Sequence, residues 1–212
     1  MNYTETLRNY LLDNKGTIFD VNYEHEKKFG MIDKRTMIRI LMRLDKDEHI
    51  ITWIAKGVYF VNDGTECDEN KIINWYTKDR SGCLIGGFLL KKLGIVDEYD
   101  GPIEVLTRRT VANKTIGNIK IVRTKMLSIG SSEKELITIL EIIEKAKLTN
   151  CNLLKMTEEI SKRLYAYDDL TFELIVCDEK YKASTIVRLE SLLKEKGKEN
   201  RCMEIFMKNY KE

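Results

Sequence analysis

The sequence predicts an α+β fold, on three observations. Near its start, an amphipathic helical segment is followed by two short β-like runs. In the middle, two more strand-like runs, at residues 103–107 and 116–123, come after a long apolar stretch. From residue 132 onward, aliphatic side chains recur at helical spacing, which makes the C-terminal part helical. The 212 residues include 43% hydrophobic and 33% charged side chains, enough for one large core or two small ones and too apolar for disorder. Two domains are expected, residues 1–64 and residues 65–212.

Residues 4–14 read as a first helix, with Leu7, Tyr10 and Leu11 at helical spacing and Gly16 as its stop. Thr17-Ile18-Phe19 is β-like, and residues 20–29 carry a weak helical pattern. The third segment is more informative. Asp33 is a suitable N-cap, and Met37, Ile40, Leu41 and Leu44 fall on one face at i, i+3, i+4 and i+7. Opposite them sit Arg35, Thr36, Arg39 and Arg43. Guanidinium forks match the paired acceptors of guanine and the oxygens of phosphate, so this row has the chemistry of a recognition helix. A plain solvated face has the same composition, but the hairpin signal downstream of the helix weighs against it. After a charged turn at residues 45–48 come β-like runs at 49–54 and 58–61, joined at Ala55-Lys56-Gly57, where glycine permits a tight reversal. Helix, helix, basic helix and hairpin is the order of a winged helix-turn-helix. In that arrangement the third helix enters the major groove, and the hairpin tip, here Lys56, reaches a flanking phosphate or the minor groove. The expected DNA contacts are Lys34, Arg35, Thr36, Arg39, Arg43 and Lys56.

Residues 68–79 are predicted helical, with Ile72, Ile73 and either Trp75 or Tyr76 inward. Residues 81–93 form an apolar run with Ser81 as its cap. Its glycines do not follow the Gly-x4-Gly-Lys-Ser/Thr phosphate loop, and close helix packing is the expected use. Around the two strand-like runs lie Arg108, Arg109, Lys114, Lys120, Arg123 and Lys125. A second nucleic-acid contact, an interface for an acidic partner or RNA, and a solvated edge that blocks strand pairing all fit this strip. Ser132-Glu133-Lys134-Glu135 is a capping box ahead of a helix to about residue 147. Helices at 153–165 (Leu153, Met156, Ile160 and Leu164 inward), 182–196 and 199–209 (Met203, Phe206 and Met207 inward) complete the chain. Residues 171–177 read equally as helix or strand.

The net charge is +2, with zero over residues 1–64, +3 over 65–130 and −1 over 131–212, so local placement carries any nucleic-acid argument. No run approaches the roughly 18 apolar residues of a membrane-spanning helix, and the first residues lack the basic-then-apolar order of a secretory signal. Cys67, Cys83, Cys151, Cys177 and Cys202 are scattered, with no Cys-x-x-Cys pair. A reducing, cytoplasmic location without a membrane partner is expected. His25 and His49 share no ligand spacing with these cysteines, so no metal site is predicted. Glu24/Glu26 and Asp168/Asp169 read as solvated acids in turns, and Glu158/Glu159 fall on different sides of a helix. With no Ser/His/Asp order and no phosphate loop, neither catalytic residues nor a cofactor are expected.

Residues 36–61 resemble the N-terminal domain of AbiEi-type antitoxins. That family has a leucine-arginine helix, a turn and a basic-Gly-x-Tyr motif. Here these are the helix arginines with Leu44, the charged turn, Ile50, and Ala55-Lys56-Gly57-Val58-Tyr59. Lys56 stands where arginine is usual in the family, and no proline follows the wing. A second match lies in the middle block, where a helix ending in Leu93-Gly94 precedes Pro102-Ile103-Glu104-Val105-Leu106-Thr107 and then a basic strand. The resemblance spans roughly residues 15–130. It implies an antitoxin of a type IV toxin–antitoxin system, which represses its own operon and counters a nucleotidyltransferase toxin encoded beside it. The implied partners are double-stranded operator DNA, that toxin and, on repeated sites, a second copy of the chain. One alternative is a stand-alone winged-helix regulator whose C-terminal part dimerises or senses a small ligand. Another is an RNA-contacting or interaction protein that uses the strip at 108–125.

Overall fold

In the computed structural model the described residues are 2–145 and 151–210, and over these the chain forms ten α-helices and seven strands in a mixed α+β arrangement. Helix α1 (Tyr3–Asp13) is capped by Asn2 and buries Leu7 and Leu11. Strand β1 (Ile18–Asp20) leads directly into α2 (Val21–Lys27), because the Asp20 carboxylate accepts the Asn22 and Tyr23 N–H groups and starts the helix there. Helix α3 (Lys34–Glu48) begins at the expected Asp33 cap but does not stop at the expected charged turn. Residues 45–48 form its last turn, since Asp-Lys-Asp-Glu contains no breaker. The helix closes at His49, which takes a left-handed conformation at φ 52°. The hairpin of β2 (Ile51–Ala55) and β3 (Val58–Val61) turns through Gly57 at φ 71°.

These strands form an antiparallel sheet in the order β1-β3-β2. Phe19, Ile51, Tyr59 and Val61 join the cluster of Leu7, Leu11, Met37, Ile40, Leu41 and Leu44 beneath the three helices. Ile18, Val58 and Phe60 belong instead to a cluster with Ile72, Ile73, Trp75 and Tyr76 of α4 (Glu69–Thr77), both aromatic residues being buried. Val105, Ile119 and Ile121 of a second sheet complete that cluster. Burial on both faces explains why β3 reads as an unbroken Val-Tyr-Phe-Val run. This cluster crosses the passage from residue 64 to residue 65.

The second sheet holds β4 (Gly82–Ile85), β5 (Ile103–Thr107), β6 (Lys114–Ile116) and β7 (Ile119–Arg123) in the order β4-β5-β7-β6, with β5 and β7 parallel. Two expectations are corrected here. The apolar run at 81–93 is a strand followed by a helix, α5 (Gly86–Lys92), with the break at Gly86, φ 72°. Ser81 caps no helix; its hydroxyl donates to the Tyr76 carbonyl. Likewise residues 116–123 are not one strand, because Gly117 at φ 55° turns β6 back along β7.

The C-terminal part comprises α6 (Ser131–Lys145), α7 (Leu153–Arg163), a 3-10 turn (Leu164–Ala166), α8 (Asp169–Asp178), α9 (Ala183–Glu195) and α10 (Cys202–Tyr210). Helix α6 is central, burying Leu136, Ile137, Ile139, Leu140, Ile142 and Ile143. The predicted capping box is not used: Lys134 N–H bonds the Gly130 carbonyl, so the helix starts earlier and Ser132 lies inside it. The last two residues of the expected helix, 146 and 147, lie outside the described residues. Residues 171–177 are helical, with Asp168 as the cap of α8. Leu153, expected inward, is 66% exposed because it sits in the first turn of α7, ahead of the packed positions Ile160 and Leu164. Met207 of α10 is also exposed, whereas Phe206 is buried. Among the described residues no helix is long and apolar enough to cross a membrane.

Candidate nucleic-acid interface

Helix α3 presents two unlike faces. Met37, Ile40, Leu41 and Leu44 are buried against α1 and β2, while Lys34, Arg35, Thr36, Arg39 and Arg43 are exposed. Asp33 fixes the start by accepting from Thr36 N (3.0 Å) and Thr36 Oγ1 (3.3 Å). The Thr36 N–H holds the Asp33 carboxyl below the usual carboxylate range. Thr36 therefore serves the cap as well as the exposed face, and its hydroxyl proton is already engaged.

Arg35, Arg39 and Arg43 are spaced i, i+4 and i+8, so each guanidinium has a like charge as its helical neighbour. Such pairs destabilise a helix by about 0.2–0.5 kcal/mol each. The first turn holds Lys34 and Arg35, cations that oppose the helix dipole, with the Asp33 cap as the one acid at that end. None of the side chains of Lys34, Arg35, Arg39 or Arg43 makes an ion pair or hydrogen bond among the described residues. Glu48, in the last turn of α3, pairs with Arg8 at 2.6 Å instead. Only the Asp33 cap carboxylate, next to Arg35, offsets this row, and Arg39 and Arg43 are left without a counter-ion among the described residues, which suits an external polyanion.

Beside α3, β2 brings the hairpin tip with exposed Lys56, also free of any partner among the described residues. Trp53 of β2 is 57% exposed on the sheet face that carries Ile51 toward the helices. Sequence reasoning passes over Trp53 as an ordinary strand residue. Its signal is an indole three residues before the hairpin lysine, on a strand whose neighbouring Ile51 is fully buried.

The strip at 108–125 does not form one basic surface. Arg109 pairs with Asp79 at 2.9 Å, donates to the Trp75 carbonyl at 3.2 Å and lies 5.3 Å over the Trp75 ring. Lys114 is drawn onto the buried Asp20, and Lys120 pairs with Glu104 at 2.8 Å. Arg108, Arg123 and Lys125 remain exposed, with side chains unpaired among the described residues. The engaged partners lie 16 to 94 residues away in sequence, out of reach of local pattern reading.

Two of the acid pairs differ from expectation. Glu24 is not a solvated turn acid: it is buried in α2, accepts from the Tyr10 hydroxyl at 3.0 Å, and is pushed up by burial. Asp168 caps α8, and Asp169 accepts from the Tyr167 hydroxyl at 2.7 Å. Glu158 and Glu159 do differ in setting, Glu158 exposed and Glu159 buried against Arg163, although both reach Lys155 and Lys162. The His25 ring bonds the Ile32 carbonyl (2.9 Å), and because a carbonyl only accepts, Nε2–H is the donor. Burial pushes the Cys83 and Cys202 thiols up to about 12, far from nucleophilic thiolates at neutral pH. Among the described residues no group of three or more His, Cys, Asp or Glu is placed to hold a metal ion. No protein-family model matches the chain, and no curated protein matches it significantly.

Proposed function

We propose that this chain is a DNA-binding transcriptional repressor whose first block is a winged helix-turn-helix. On its resemblance to AbiEi-type antitoxins, we further propose that it acts as the antitoxin of a type IV toxin–antitoxin system. The observation that carries the DNA reading is the exposed, mutually repelling Arg35-Arg39-Arg43 row, in which Arg39 and Arg43 make no ion pair among the described residues. The order α1-β1-α2-α3-β2-β3, with β1 and β2 flanking β3, supports the winged-helix reading. In this reading Arg35, Thr36, Arg39 and Arg43 face the major groove and Lys34 takes a flanking phosphate. Lys56 and Trp53 serve the wing.

The test is a gel-shift titration with the promoter of the chain's own operon at several salt concentrations. A base-reading arginine replaced by alanine weakens operator binding by about 1–3 kcal/mol and relaxes specificity. A phosphate-contacting one weakens binding on all sequences and lowers the log–log salt slope by about 0.9. Unchanged binding by the R39A/R43A double variant removes α3 from the mechanism. The antitoxin role requires a nucleotidyltransferase reading frame next to this gene. In co-expression, the full-length R39A/R43A variant should lose repression yet still rescue growth. A stand-alone, ligand-sensing regulator is the second reading, favoured by a cationic recess behind α2.

A further inference from the structure

Two adjoining recesses, of about 430 and 190 Å³, open along the seam between α2 and the middle of the chain and share Tyr23, Lys27 and Arg108. The larger lies within the size range of small-molecule sites. Lys78 and Arg109 also line the larger recess, and Arg123 and Lys125 the smaller.

Each acid along the seam has a cation beside it. Asp79 is paired with Arg109, and Glu26 lies 3.9 Å from Lys27. Glu24 takes the Tyr10 hydroxyl, has Lys28 at 3.8 Å, and is further shifted toward its neutral form by burial. By contrast, the side chains of Lys78, Arg108, Arg123 and Lys125 have no counter-ion among the described residues. Arg109 is held over Trp75, and its buried Nε–H finds no acceptor among the described residues. A buried, unpaired guanidinium N–H is an unusual liability, and it leaves Arg109 a positive charge in the recess wall that, among the described residues, only the exposed Asp79 pairs.

From this we infer that the seam is a binding site for a small phosphate-bearing ligand of nucleotide size. Arg108 is the central contact, Lys78 and Arg109 hold one end, and Arg123 and Lys125 hold the other. A compact, multiply charged ligand suits this recess better than duplex DNA, because Arg109 and Trp75 are recessed where a phosphodiester backbone cannot follow. The site deepens the ligand-sensing reading and rests on it. Its α2 wall is tied to the segment before α3 through the His25–Ile32 bond, so occupancy touches the element that positions α3.

The test is calorimetric titration of the full-length chain with inorganic pyrophosphate and with ATP, using sodium sulfate at matched ionic strength as control. Saturable heat from either probe is expected. The R108A/R123A variant should weaken binding by about tenfold or more, while R35A/R39A should bind as the parent does. Because this readout contains no DNA, its failure is distinguishable from failure of the DNA reading. The inference is overturned by the absence of saturable heat, by sulfate reproducing the signal, or by R108A/R123A binding unchanged. Displacement of neither probe by a short DNA duplex supports it; displacement that R35A/R39A leaves intact would reassign the seam to nucleic acid.

Discussion

Lys114 of β6 forms an ion pair with Asp20 of β1, residues 94 apart in sequence, on a carboxylate with no solvent exposure. The other partners of Asp20 are the Asn22 and Tyr23 N–H groups on Oδ1 and the Tyr76 hydroxyl on Oδ2, at 2.9 Å. One carboxylate therefore caps α2 and joins the first sheet to α4 and to the edge of the second sheet. The N-terminal block is fastened to the rest of the chain by a saturated polar node in addition to the apolar contacts of Ile18, Val58 and Phe60.

Removing the cation alone leaves that carboxylate buried with its hydrogen bonds but without its counter-charge. Lys114→Met should destabilise the protein by about 3–5 kcal/mol, measured by urea denaturation. Asp20→Asn in the same background should recover part of the loss, since it removes the uncompensated charge and can keep an acceptor for Tyr76. Equal stability of the parent and K114M would mean that the pair does not hold the seam together.

The α3 arginines should behave in the opposite way. Arg39 is exposed, has no partner among the described residues and has like charges four residues away on both sides. Arg39→Ala should leave stability unchanged or raise it by up to about 0.5 kcal/mol, while reducing operator affinity. A stability loss above about 1 kcal/mol in thermal denaturation would make Arg39 a structural residue rather than a free cation on the helix surface.

The contrast between Lys114 and Arg39 shows what the sequence can carry. The Asp33 cap, the aliphatic stripe of α3 and the Gly57 turn are local, and each follows from spacing and side-chain chemistry within a few residues. The outward arginines are legible for the same reason. The pairing within the basic strip at 108–125 is not, because Asp20, Asp79 and Glu104 reach it only through tertiary packing. The exposure of Trp53 depends on how far the helices cover its sheet face, and the seam recess on how α2 lies against α4 and the residues after β5, neither of which a local pattern shows. The glycines of the 81–93 run stand out in the sequence, but the backbone geometry that requires them does not.

Gly82 illustrates that requirement. A Cβ built there would stand 2.4 Å from the Leu106 carbonyl oxygen and 2.6 Å from that of Tyr76, both backbone atoms that cannot swing away. Gly82→Ala should therefore separate β4 from β5 or displace the end of α4, with a loss of at least about 2 kcal/mol. Gly117→Ala, where nothing lies within 4 Å but φ is 55°, should cost only about 1 kcal/mol. Denaturant midpoints for the two variants test the ranking, and a smaller loss at Gly82 than at Gly117 contradicts the close packing of β4 between Leu106 and Tyr76.

Glu179 gives the chain a pH dependence of defined sign. Burial, with Asp178 and Glu141 nearby, raises its carboxyl from the ordinary 4.5 to about 7, against a partly opposing hydrogen bond from Thr124. A group raised in the folded state favours folding while it is protonated. Its contribution is complete below about 4.5 and is lost as the pH rises through 7. Glu141, raised by its own burial, acts in the same direction. Glu144, Glu159 and Asp168 are held low and lose their contributions as pH falls below the ordinary carboxylate range, outside this window. Thermal stability should therefore decline between about pH 5 and pH 8. Glu179→Gln, uncharged throughout, should flatten that decline while leaving stability at about pH 5 close to the parent's. A profile that stays equally steep in E179Q would assign the titration to another group.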